Sequence, residues 1–290
     1  MLFSTTTEHL EKKLGLEGAV RTLIDAGFPA IDLYMFDTAK MPAFCDDYKD
    51  TAKRILNIAK ERGVIFNQAH APFGGPYEHY VNELVPHFER AFEFASLVGV
   101  KTMVVHPVTR GPYLGHEMEH FEMNMQFYSS LIPLARNTGV KIGIENMWGM
   151  HPKAKRIIDS VCSSPGELAL YYDTLNDPEA FTVCLDIGHV GVTMREPEDA
   201  IRTLGSRIGA LHVHDVDYIH DSHTLPGVGS LNWNNIAMAL AEVDYKGELT
   251  LEADNFYLGF DDSLIPTVSR FMADVARNLA EKVDSYRKNG

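Results

Sequence analysis

Apolar and polar residues alternate along the chain in two rhythms that trade places from one end to the other. Short β-branched or apolar runs read as strands: LFSTT at 2–6, AIDLYM at 30–35, VIFNQAHA at 64–71, KTMVVHP at 101–107, VKIGIEN at 140–146, FTVCLDIGH at 181–189, RIGALHVHD at 207–215 and GELTLEAD at 247–254. Between them lie longer stretches with the three-to-four-residue spacing of amphipathic helices, predicted over 11–27, 46–62 and 81–99 among others. Gly27 and Gly63 stop the first two. Crossovers of this length demand parallel pairing. Strict strand-helix alternation with eight strands predicts an α/β fold, a (β/α)8 barrel over residues 1–290 as a single domain, with a doubly wound open sheet as the other arrangement that fits. Two stretches break the rhythm, the basic HPKAKR at 151–156 and the loop 217–233, and both follow strands.

The polar residues are concentrated where the strands stop. The third strand ends in His70, the fourth in His106, the fifth in Glu145, and the sixth in Asp186 with His189 just beyond. The seventh ends in His212, followed by His214 and Asp215, and the eighth in Glu252. In a closed barrel these ends meet at one mouth, where the chemistry of such folds is carried. Burying several carboxylates together is strongly repulsive unless protons or a cation compensate, so the pattern points to a divalent metal. A lone histidine at a strand end is more often a hydrogen-bonded structural residue, which is the competing reading for His70 and His106. Glu145 and Glu252 follow the apolar runs KIGI and ELTL, where an unpaired carboxylate is costly. Loop capping competes for His214, Asp215 and Asp217. His9, His79, His87, His116 and His120 are expected to be solvated or structural. Trp148, Phe73 and Tyr34 are candidates for an apolar wall against which a sugar ring stacks.

Composition narrows the partners. The chain carries 40 acidic and 26 basic residues, a net charge of −14, which disfavours anionic partners such as duplex DNA or an acidic membrane. No apolar run reaches membrane-spanning length, and the N-terminal stretch lacks the pattern of an export signal. Three scattered cysteines, Cys45, Cys162 and Cys184, fit reduced thiols and a cytoplasmic location. No organic cofactor is expected, and a homo-oligomer is left open.

The segments QAHAPF, VVHP, IGIEN, CLDIGH, LHVHD with DSHTLPGVGSLNW, and TLEAD, in this order and spacing, resemble the xylose isomerase-like TIM-barrel superfamily, which includes sugar and sugar-phosphate isomerases, ketose 3-epimerases, inosose-processing enzymes and endonuclease IV. The resemblance implies a divalent ion (Mn²⁺, Zn²⁺, Mg²⁺ or Co²⁺) held by Glu145, Asp186, His212 and Glu252. It further implies that the two glutamates act as acid and base on a carbohydrate substrate, through an enediolate-like intermediate, and that His189 contacts a substrate oxygen. In endonuclease IV-like members additional zinc ions are held; the counterparts would be His70 and His106 with Glu145, and His189 with Asp221 and His223. Three functions follow as expectations: an isomerase or epimerase moving a proton next to a sugar carbonyl, a lyase or dehydratase on a keto-sugar or inosose, and a zinc-dependent phosphodiester hydrolase. Against the last, a nucleic-acid enzyme needs a basic face, and only HPKAKR and Arg110 offer basic charge near strand ends; HPKAKR could instead bind a substrate phosphate or be a solvated loop.

Overall fold

The computed structural model of the chain describes residues 1–289. Its strands are β1 (Phe3–Thr5), β2 (Ala30–Tyr34), β3 (Ile65–His70), β4 (Thr102–Val105), β5 (Lys141–Glu145), β6 (Trp148–Met150), β7 (Ile157–Asp159), β8 (Phe181–Asp186), β9 (Ile208–His212) and β10 (Leu249–Leu251). A parallel run β2-β3-β4-β5-β8-β9 forms most of the wall, and β1 pairs in parallel with β10. Single bridges, Thr6 with Asp32 and Val213 with Leu251, join the two pieces into a ring. Because the first barrel strand pairs with the last, the sheet is a closed TIM barrel; the open doubly wound alternative is excluded.

The helices α1 (Glu8–Ala26), α2 (Tyr48–Lys60), α3 (Tyr77–His79), α4 (Phe88–Val98), α5 (Glu117–Thr138), α6 (Pro165–Leu175), α7 (Ile187–Val192), α8 (Pro197–Leu204), α9 (Trp233–Glu242) and α10 (Ile265–Asn289) surround the strands. Burial of Leu10, Leu16, Val20 and Leu23 on α1 and of Phe88, Phe92 and Ala95 on α4 gives each an apolar stripe facing the barrel. Three details depart from the sequence-based expectation. The first helix begins at Glu8 rather than 11 and is broken at Gly15, whose φ of 70° and ψ of 167° no helix contains. The helix expected over 81–99 is α-helical only from Phe88. Before it the chain runs through a π-helical Tyr80–Leu84 and a 3₁₀ turn Val85–His87, where Pro86 lacks the N–H that an α-helical bond there would use. HPKAKR is the tip of an antiparallel hairpin between β6 and β7, two strands inserted after β5.

Inside the barrel a polar cluster sits beneath the mouth. Ser4 Oγ donates to Thr250 Oγ1 at 2.8 Å, Asn67 Nδ2 donates to the same oxygen at 3.0 Å, and that hydroxyl donates to Gln68 Oε1 at 3.1 Å. The cluster ties β1, β3 and β10 across the barrel, including the β1–β10 pair that completes the ring.

Asp215, just beyond β9, fastens the loop that follows. Its buried carboxylate accepts from the backbone N–H groups of Val216 (2.9 Å), Gly227 (2.7 Å) and Leu231 (3.1 Å) and from Trp233 Nε1 (2.7 Å). Removing it strands several donors, each costing roughly 1–3 kcal/mol when buried without a partner. Asp215→Ala is therefore expected to lower unfolding stability by at least about 2 kcal/mol, read from urea denaturation; a midpoint equal to that of the unaltered chain would contradict this role.

Candidate active site

The closed ring brings the strand-end residues of β3, β4, β5, β8, β9 and β10 to one mouth. Glu145, Asp186 and His212 are buried, with Glu252 one residue past β10 and still tied to the barrel by its N–H, which donates to Val213 O at 3.0 Å. His212 Nδ1 is the point on which they converge: it lies 2.7 Å from Glu145 Oε1, 3.3 Å from Glu252 Oε2 and 3.9 Å from Asp186 Oδ2. Each of these four residues offers a ligand atom within 4.8 Å of the others.

Two further groups adjoin this one. His106 Nε2 and His70 Nε2 lie 2.9 Å and 3.4 Å from Glu145 Oε2 and 3.0 Å from each other. On the other side, Asp221 Oδ2 lies 3.2 Å from His223 Nε2 and 3.5 Å from His189 Nε2, and His214 Nε2 is 3.1 Å from Asp186 Oδ1. His214 stacks on His223 with ring centroids 4.1 Å apart, and His189, His214, Asp221 and His223 form a second four-residue group of convergent donors. Sequence reasoning left His214 undecided between capping and ligation. A signal for it was available in the HxH spacing, which in a strand puts both rings on one face.

The tautomers are legible. A carbonyl can only accept, so His70 Nδ1–H donates to Ala71 O (2.9 Å), His189 Nδ1–H to Asn146 O (2.8 Å) and His223 Nδ1–H to Glu252 O (2.9 Å). This is how metal-binding imidazoles are oriented by their outer partners. Without a cation, burial lowers His189 and His223 but Asp186 and Asp221 outweigh it and raise them to about 10 and about 9, so their Nε2 lone pairs, turned into the cluster, become free when that proton is displaced. His120 is different: Nδ1 meets His116 O at 2.9 Å and Nε2 accepts from Arg110 N–H, so it is structural, as expected.

Electrostatics divide the carboxylates. Burial pushes Glu145 upward, but His212 and His106 outweigh it and hold the group well below its ordinary range. Glu252 is driven well above its range by burial and by the neighbouring carboxylates of Glu145 and Asp186. Several buried polar atoms, Glu145 Oε2, His214 Nδ1 and Asp221 Oδ1 among them, have no hydrogen-bond partner of proper geometry among the described residues. Orphaned donor atoms beside crowded carboxylates and oriented imidazoles fit a divalent cation, and the oxygen-rich set of Glu145, Asp186, Glu252 and His212 suits Mn²⁺, Mg²⁺, Co²⁺ or Zn²⁺.

Outer residues hold the site in shape. Asn146, for which sequence reasoning gave no role, receives Asp186 N–H on Oδ1 (2.8 Å) and donates Nδ2 to Asp186 O (2.9 Å). Asp186 in turn caps α7 by accepting His189 N–H at 2.6 Å. Of the expected apolar wall, Phe73 and Trp148 line a cavity of about 120 Å³ next to His106. Tyr34 does not join them; it packs on Phe36, and Phe36 is the ring that reaches His70, with centroids 4.6 Å apart. Trp148 Nε1 also donates to Asp221 Oδ2 at 2.9 Å. Asp217 is an exposed loop cap, accepting from the backbone of Ile219 and His220. The basic residues Lys153, Lys155 and Arg156 point to solvent at the hairpin tip.

Comparison with known proteins bears on the fold. An uncharacterised protein of Methanocaldococcus jannaschii is 27% identical over 198 residues, 64% of each chain, so the match spans slightly less than two thirds of that relative. Among solved structures, a D-tagatose 3-epimerase-like protein superposes with a TM-score of 0.72 at 20% identity, covering 98% of this chain and 100% of the other. The IOLI protein with a bound zinc atom gives a TM-score of 0.73 at 18% identity, covering 99% of both chains. No helix among the described residues is long and apolar enough to cross a membrane. Residues 20–275 match the model of one family, and the chain therefore belongs to the xylose isomerase-like TIM barrels.

Proposed function

We propose that the chain is a divalent-metal-dependent carbohydrate isomerase or epimerase that moves a proton on the carbon next to a sugar carbonyl. The observation that carries this reading is the pair Glu145 and Glu252. They approach one imidazole nitrogen from different strands, at 2.7 Å and 3.3 Å, in unequal surroundings. Without a cation, burial raises Glu145 but His212 and His106 outweigh it and favour its anion, whereas burial and then the carboxylates of Glu145 and Asp186 favour the acid form of Glu252, despite His212 at 3.3 Å. Family membership and the likeness to a D-tagatose 3-epimerase-like barrel support the same reading.

Glu145, Asp186, His212 and Glu252 would hold the cation. When bound, it supplies Lewis-acid polarisation of the carbonyl and of an adjacent hydroxyl. The protein's own part is positional and protolytic. Phe73 and Trp148 take the apolar face of the sugar, and Glu145 and Glu252 are the groups that accept the carbon-bound proton and, once protonated by substrate or solvent, return one. His189, with Nδ1 committed to Asn146, keeps Nε2 for a substrate oxygen.

A second reading, a multinuclear zinc phosphodiesterase, is favoured by the two additional donor groups around His70, His106 and Glu145 and around His189, His214, Asp221 and His223. The net charge of −14 and the absence of lysine or arginine from the cavity lining among the described residues weigh against a polyanionic substrate. Cleavage of an abasic duplex without sugar exchange would favour it.

The decisive test is incubation of the metal-loaded protein with ketoses, aldoses and inososes in deuterated water, followed by NMR. Deuterium is expected at one carbon beside the carbonyl, and a panel with no exchange anywhere would overturn the proposal. Glu145→Gln and Glu252→Gln should each slow exchange by about 10²-fold or more, whereas Asp186→Asn and His212→Ala should lose bound metal by elemental analysis; near-normal exchange in both glutamine variants would remove the acid/base assignment.

Cation binding should also release protons. Without the ion, burial pulls His212 down but Glu145 outweighs it and raises the ring, while burial raises Glu252. Both protons must leave on ligation, so apparent affinity rises with pH and falls as the medium turns acidic. Calorimetry at pH 7 in two buffers of different ionisation enthalpy should give different apparent heats; identical heats would contradict the expected release.

A further inference from the structure

Beside the small cavity lies a second cleft of about 660 Å³, and the two share Thr109, Trp148 and Ser160 in their walls. Its floor is the β6–β7 hairpin and its opposite wall is the loop between β4 and α5. The lining is amphipathic: Tyr113, Leu114, Met150 and Ile158 stand beside Thr109 and Ser160. Among the described residues, no lysine or arginine lines it.

Three anchors show that the cleft is built rather than incidental. Tyr113 OH donates to Glu167 Oε2 at 2.7 Å, and Glu167 is itself fixed by accepting Cys162 N–H at 3.0 Å. Arg195 grips Asp159 of the hairpin through two bonds of 2.7 Å and 2.8 Å. Trp148 is held by its bond to Asp221. Rings fixed in this way bind without paying for their own ordering, and the volume falls within the roughly 300–1,000 Å³ of small-molecule sites.

From these features the geometry points to a substrate with two rings: a glycoside whose reacting sugar sits by the carboxylates while its second, uncharged ring occupies the cleft against Trp148 and Tyr113. Flat aromatic faces suit the C–H face of a pyranose or an aryl aglycone, and the hydroxyls of Thr109 and Ser160 suit its polar edge. A phosphorylated sugar is the poorer occupant, because the cations of the hairpin tip lie outside both linings. The inference names the substrate class for the isomerase reading and rests on it for turnover, but not for binding.

Binding and turnover are therefore measured separately. Phenyl β-D-glucopyranoside, which has no carbonyl to react, should bind the metal-loaded protein in calorimetry. Leu114→Arg, at a position 51% exposed and so able to accept the longer chain, should weaken that binding about tenfold, some 1.4 kcal/mol. In the unaltered protein, a ketose glycosylated away from its carbonyl should exchange deuterium with a kcat/KM about tenfold above that of the free ketose. Failure of the phenyl glycoside to bind, or equal kcat/KM for the two ketoses, overturns the inference even if the free ketose exchanges normally. Glycoside binding sensitive to Leu114→Arg, with no exchange on any sugar, leaves the cleft assignment standing and defeats the isomerase reading instead.

Discussion

The mouth of this barrel is governed by like-charge repulsion. Glu145, Asp186 and Glu252 are brought within a few ångströms of one another, in a setting where water cannot screen them and each extra negative charge is expensive. Everything around them works to contain that cost: imidazoles lie against the carboxylates on both flanks, backbone carbonyls fix the ring orientations, and the closed sheet prevents the strand ends from drifting apart. Burial and that crowding drive Glu252 well above its ordinary range, while His212 and His106 overcome burial and hold Glu145 well below its own.

Much of this was legible from residue order. A barrel strand is apolar until it stops, and the stop is where the mouth lies, so His70, His106, Glu145, Asp186, His212 and Glu252 could be picked out by position without any contact information. The alternation of strands and long crossovers gave a parallel fold for the same reason. What it could not decide was closure, because an open and a closed sheet share that alternation; the pairing of Phe3–Thr5 with Leu249–Leu251 is a contact across almost the whole chain.

Other features were hidden for identifiable reasons. The hairpin of β6 and β7 has strands of three residues each, too short to show a period of two against a basic turn. Asp215 and His214 are neighbours with opposite fates, one turned to loop amides and the other to Asp186, which is a matter of strand direction at the point where the strand ends. Tyr34 was a reasonable aromatic for the wall, yet Phe36 stands between it and His70. Gly15 interrupts a stretch whose apolar spacing continues on both sides, so a hydrophobic pattern alone reads straight through the break.

The side chain of Asn146 carries an implication for what this position can tolerate. It meets the main chain of Asp186 with one acceptor and one donor in a single plane, while its own carbonyl engages His189. Aspartate would match the shape but, when ionised, offers no hydrogen to the Asp186 carbonyl, and leucine would satisfy neither contact. Glutamine owns the right groups one methylene too far along. The barrel has thereby made a primary amide into a splint between two adjacent strands, so that the carboxylates preceding Asn146 and at Asp186 keep their separation whichever occupant the mouth receives.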